Sequence, residues 1–169
     1  GKGLVANLGI QAGSVSAQRS MGFNDAIAKY PGMKVLPVQW TNADAALSMN
    51  IATDLLTGNP TLAGFFAACA PTAEGIAQAV KGKGLDKKVK IVTFDPSPEL
   101  LPLFESGTIN AIIAQDPYQM GYEGVGIIDK VVKGQKIDKK KIELPPVLIT
   151  PENYHTPEVQ KLLQTPDKF

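Results

Sequence analysis

A chain of 169 residues is long enough for one domain with its own apolar core and short for two. Its 17 basic and 16 acidic side chains leave it close to neutral, which gives no reason to expect nucleic acid as a partner. The single cysteine, Cys69, excludes an internal disulfide, and with His155 the only histidine a metal site would rest on scattered carboxylates, so neither metal nor cofactor is expected. No run approaches the roughly 18 to 20 apolar residues of a membrane span. The opening Gly1-Lys2-Gly3-Leu4-Val5 lacks the apolar core of a signal peptide, which in a mature or truncated chain does not exclude export.

In chain order, Leu4 to Leu8 is a strand-sized apolar run, and Ser16 to Tyr30 carries the three-to-four spacing of a helix that Tyr30-Pro31-Gly32 stops. A second strand is expected from Lys34 to Val38 and a second helix from Asp44 to Gly58, ended by Gly58-Asn59-Pro60. Strand Gly64 to Ala67 and helix Thr72 to Gly82 follow, then strand Lys90 to Phe94 and helix Pro98 to Ser106. Strand Asn110 to Ala114 leads into helix Tyr118 to Lys133, and Pro146 to Ile149 reads as a return strand before a short terminal helix. Ser14 or Ser16, and Asn42 or Asp44, are the expected N-caps. Lysine clusters at Lys81 to Lys90 and Lys130 to Lys141 sit beside glycine after apolar helical patterns, as solvated helix ends and turns do.

Strands and helices alternate through short connectors, and the strands lack polar alternation. That pattern predicts an α/β fold, a doubly wound parallel sheet covered on both faces.

Ligands of such sheets meet the carboxyl ends of the strands. There the sequence places Gly9 to Ser16 with Arg19, then Gln39 to Asp44 including Trp40, then Cys69 to Glu74, then Asp95, and finally Gln115 with Asp116. These are mostly hydrogen-bonding groups without a nucleophile and base pair, so binding is expected rather than catalysis. Cys69 has only the distant His155 as a base, and a small strand-end residue is its bland reading. Gly9-Ile10-Gln11-Ala12-Gly13 has neither dinucleotide-loop nor phosphate-loop spacing. Asp95 and Asp116 stand a helix-strand unit apart, and sequence sets no distance between them.

Arg19 with Gly22-Phe23, Asp54-Leu55-Leu56 before Asn59-Pro60, Thr93-Phe94-Asp95, and Ile113-Ala114-Gln115-Asp116-Pro117-Tyr118-Gln119-Met120-Gly121 occur together in order. In this the chain resembles the type I periplasmic sugar-binding proteins of the ribose-binding-like group, over nearly its whole length. The resemblance implies two flavodoxin-like lobes joined by a three-stranded hinge, closing on a sugar or polyol that is delivered to an ABC transporter permease. It implies a periplasmic or extracellular protein and makes residues 1–115 the second, C-terminal lobe. Residues 116–144 would then belong to the first lobe, and 145–169 would be the return strand and tail. Arg19 matches the arginine that forks onto ligand hydroxyls, Asp95 the acceptor of an F-D-G-type turn, and Gln115 the hinge-side amide. Such groups suit vicinal hydroxyls, because guanidinium and carboxylate make directional charge-assisted bonds and an amide both donates and accepts.

Two departures bear on the ligand. Cys69-Ala70-Pro71 stands where the family offers an asparagine-aspartate pair, and Ala43 where an aromatic often stacks on the sugar, with Trp40 either replacing that face or packing in the core. Fewer polar partners favour a deoxygenated, smaller or less polar ligand. The effector-binding domain of a LacI-like transcription regulator is the alternative, and a flavodoxin-like enzyme is a third class. In helix 118–133, Met120, Val125, Ile128 and Val132 form an apolar stripe. That stripe is expected to fold back on this lobe, to pair with a second copy, or to meet a first-lobe chain.

Overall fold

The computed structural model describes residues 1–137 and 142–164; the lysine run Lys139-Lys140-Lys141 lies outside them. Its elements are β1 (Gly3–Gly9), α1 (Ala17–Ile27), β2 (Met33–Val35), β3 (Gln39–Trp40), α2 (Ala45–Gly58), β4 (Leu62–Ala67), α3 (Ala70–Gly82), β5 (Lys90–Phe94), α4 (Leu101–Glu105), β6 (Ala111–Ala114), α5 (Pro117–Val132), β7 (Val147–Ile149) and α6 (Pro157–Leu163). Among the described residues one sheet runs β2-β1-β4-β5-β6-β7, with β3 also paired to β1. Every pairing is parallel except β6 with β7, where the chain returns antiparallel. The doubly wound parallel sheet expected from the sequence is the fold observed.

Leu8, Ile76, Ile91, Leu100, Ile109, Ile112 and Ile149 are all buried below 2% exposure, so sheet, α3 and the return strand share one core. Each such side chain contributes about 1.5 to 3 kcal/mol relative to full exposure. The α2 N-terminus is capped as the sequence predicts, the Asp44 carboxylate accepting from the Leu47 N–H at 2.7 Å. Ser16 occupies the cap position of α1, but its hydroxyl pairs with Ser14 and makes no capping bond.

The second strand differs from expectation. A run from Lys34 to Val38 breaks into β2 and β3 because Pro37 has no N–H to give the ladder. Leu36 N–H still reaches Val5 O at 2.9 Å, and pairing resumes at Gln39 beside Leu8.

After β7, Tyr154 packs its ring on Phe104, centroids 5.1 Å apart, and donates its hydroxyl to Glu105 Oε1 at 2.8 Å. Burial, followed by that hydrogen bond and the carboxylate's charge, raises the phenol above its ordinary value of 10.0. The phenol is protonated in folded and unfolded chains below that value, so the contact contributes fully there. Above it the unfolded chain deprotonates first, and the contribution fades as pH climbs through the raised folded value. Tyr154→Phe is therefore expected to cost about 1 kcal/mol near neutrality. The gap to wild type should close in urea unfolding followed from about pH 8 to about pH 11.

Helix α5 stands off the lobe. Asp116 caps it through the Gln119 N–H at 2.9 Å and Pro117 opens it, yet none of its residues is buried. Val125 is 67% exposed and Val132 80%, so the stripe does not fold back on its own lobe as one expectation had it. The connector Gln115-Asp116 has the same two-residue length as Ala68-Cys69, yet α3 packs onto the sheet and α5 does not.

Candidate ligand-binding site

Parallel β1, β4, β5 and β6 all end at one edge of the sheet, and that edge gathers the polar residues. Asp95 follows β5 in the left-handed region, at φ 62°, with its N–H bonded to Ile113 O at 2.9 Å. A non-glycine residue held there carries strain that surrounding contacts must override. Those contacts are present: Asp95 Oδ2 accepts from Arg19 Nη1 at 3.1 Å and Oδ1 from Gln115 Nε2 at 2.7 Å. Arg19 Nη1 also donates to Ala68 O at 2.7 Å. Three predicted site residues, from α1, β5 and the end of β6, thus form one partly exposed hydrogen-bonded cluster. Side-chain exposure is 22% for Arg19 and 35% for Asp95, so charges and water meet there.

Cys69, the predicted strand-end residue, occupies the cap position of α3 and is buried. Its Sγ lies 3.2 Å from Thr72 Oγ1, which lies 2.8 Å from Thr41 Oγ1, which donates to Gly9 O at 3.0 Å. Each hydroxyl has one proton. With Thr41 spending its own on Gly9, Thr72 must donate to Thr41, and the Cys69 thiol is left as donor to Thr72. The thiol proton is therefore consumed inside the protein, and the Cys69 side chain has only a weakly accepting sulfur left to offer a ligand.

Trp40 is half-buried, and its ring packs directly on Gly9: a Cβ built there would run into the indole and come within 2.8 Å of Ser20 Oγ. Among the described hydrogen bonds none ties Trp40 to the Arg19 cluster.

The strand-end ranges Gln39 to Asp44 and Cys69 to Glu74 contain Thr41 and Thr72 without singling them out for a role, and Phe94 is not read as a site residue. Buried threonines leave no periodic signal. Phe94, whose ring lies 4.4 Å from the Arg19 guanidinium carbon, reads in sequence as the last apolar residue of a strand. Beneath the cluster a groove of about 370 Å³ follows α1 across β4 to β6, lined by Gln18, Arg19, Phe23, Phe66, Phe94 and Ile113 among others.

A cluster of guanidinium, carboxylate and amide thus stands at the strand-end edge of a doubly wound lobe. Residues 1–136 match the model of the periplasmic binding protein domain, and the chain belongs to that family. It is 34% identical over 132 residues to the ribose import binding protein of Salmonella typhimurium, covering 78% of this chain and 44% of that protein. A solute-binding protein of an ABC transporter from Agrobacterium vitis, solved with α-D-tagatopyranose, superposes with a TM-score of 0.92 at 32% identity, over 97% of this chain and 55% of the other. A second from Agrobacterium vitis, with D-fucose bound, gives 0.89 at 31% identity, over 96% and 56%. The chain spans about half the length of the relatives it matches.

Proposed function

We propose that this chain is the C-terminal part of the sugar receptor of an ABC importer, acting without catalysis in the periplasm or outside the cell. Residues 1–115 serve as one ligand-binding lobe, 116–144 belong with the other, and 145–169 return the chain and form its tail. Arg19, Asp95 and Gln115 hold the hydroxyls of a sugar or polyol, while Cys69 and Trp40 shape the walls around them. The observation that carries this reading is the single cluster that those three side chains form at the strand ends. The similar proteins are import receptors and sugar-bound solute-binding proteins, which favours this reading over a transcription regulator. The bare face of α5 suits a first lobe as its cover, and the closed receptor passes its ligand to the permease.

Because the Cys69 thiol is spent on Thr72, the ligand preferred is a sugar with fewer hydroxyls than ribose or glucose offer to such a site. The D-fucose complex of a relative is consistent with that direction. The test is a thermal-shift screen of sugars, deoxysugars and polyols on the two-lobed receptor. A ligand at about 100 times its Kd adds about 2.7 kcal/mol, a rise of about 3 to 6 °C in a receptor about twice this length. Deoxysugars are expected to give the largest rise, and the isolated 169-residue chain little at the same concentration, since it supplies only half the contacts. A screen in which no sugar raises the melting temperature would refute the reading.

A further inference from the structure

Arg19 is held by more than its two acceptors. Both of them, Ala68 O and Asp95 Oδ2, engage the same nitrogen, Nη1. Two bonds from one nitrogen fix that end of the planar guanidinium, while among the described hydrogen bonds the N–H groups of Nη2 and Nε have no acceptor. The face of the guanidinium rests on a ring. The guanidinium carbon sits over Phe94, 4.4 Å from its centroid. Phe94 meets Phe66 edge-on, at 6.0 Å and 88°, and Phe66 stacks on Phe23 at 4.7 Å and 12°. Phe23 lies one turn beyond Arg19 on α1, so the ladder closes on the helix from which it started. α1 is fastened at two points on one face, and Phe94 backs the guanidinium that the two Nη1 bonds orient.

We propose that Phe94 is a positioning residue for ligand recognition: the Phe23–Phe66–Phe94 ladder backs the Arg19 guanidinium and so keeps its unbonded N–H groups ordered for the sugar. This rests on the sugar-receptor reading above. A long arginine side chain loses much rotamer entropy when it is ordered on a ligand. Ordering it beforehand on an aromatic face removes that cost from binding. The Phe94 ring also brings its own attraction to the cation, strongest where water is excluded.

The experiment uses Phe94→Leu and Phe94→Tyr in the two-lobed receptor, with two readouts. One is nitrogen-edited NMR of the Arg19 Nε–H, whose proton is shifted by the Phe94 ring current; the other is sugar affinity by calorimetry. Phe94→Leu is expected to abolish the shift and weaken binding about tenfold. Phe94→Tyr should keep the shift and bind within about threefold of wild type. Unchanged affinity in Phe94→Leu overturns the proposal. If that variant fails to fold, Phe94→Tyr decides: retained shift with retained binding supports the proposal, and retained shift with lost binding overturns it. A wild-type receptor that shows the shift but binds no sugar overturns the receptor reading, and the ligand part of this proposal with it, while the geometry of Arg19 stands.

Discussion

Asp95→Ala is expected to weaken sugar binding by the two-lobed receptor at least about a hundredfold, because charge-assisted hydrogen bonds are worth about 1.5 to 3 kcal/mol each and a carboxylate serves two hydroxyls. The loss extends beyond those bonds. Arg19 keeps Ala68 O but loses its counter-charge, and Gln115 loses the acceptor that orients its amide. The backbone supplies a second, independent readout. Asp95 sits at φ 62°, where a residue with a Cβ pays about 1 to 2 kcal/mol relative to glycine. Asp95→Gly and Asp95→Ala should both lose the ligand, yet the glycine variant should be the more stable by about 1 kcal/mol in urea unfolding. A stability difference between two variants that lose the ligand alike separates the backbone strain at this position from the side chain's part in binding. Binding within threefold of wild type in Asp95→Ala would remove Asp95 from the site.

The fold was legible because its signals are local and repeat. Each parallel strand is a short apolar run, each helix a three-to-four pattern, and Pro31, Pro60 and Gly84 punctuate them. It failed where tertiary chemistry took over from pattern. Pro37 split one strand into two, and α5 kept its apolar face in the open although its stripe is a normal core-facing one. That stripe made sense in the sequence only as a surface awaiting cover, and the described residues supply none.

The site was legible through residue type more than through geometry. Arg19, Asp95 and Gln115 are polar residues beside strand ends, the place where a doubly wound sheet meets its ligands. Their hydrogen bonds to one another follow from parallel strands ending in register, which no one-dimensional pattern states. Phe94 was hidden for the opposite reason: an aromatic at a strand end looks like core, and only the Arg19 guanidinium above it shows that its ring supports a charge. Cys69 was singled out for being unusual, but the fate of its proton depends on Thr72 and Thr41, residues with no periodicity to betray them.

Gly75→Ala is expected to be the most destabilising small change in the lobe, by about 3 kcal/mol, with a fall in melting temperature of about 6 to 12 °C. A Cβ at Gly75 would collide with the carbonyl oxygen of Ala45 and come within 2.8 Å of Met49 N and Ser48 Cβ. The first two are backbone atoms, so no rotamer change can make room, and α2 must move away from α3. Gly82, on the same helix, has nothing within 4 Å of an added Cβ. There alanine should be neutral or stabilise by up to about 1 kcal/mol, through helix propensity alone. The contrast separates close packing from propensity, and it reaches the site. Thr72 lies one turn before Gly75, and Thr41 lies just ahead of α2. Spreading the two helices therefore pulls on the 2.8 Å bond between Thr41 and Thr72 that draws the thiol proton inward. In Gly75→Ala the Cys69 thiol should regain freedom and react faster with a thiol reagent under native conditions, while Gly82→Ala leaves the rate unchanged. Equal rates in the two variants, with the expected loss of stability in the first, would show that the hydroxyl chain does not depend on the α2–α3 spacing.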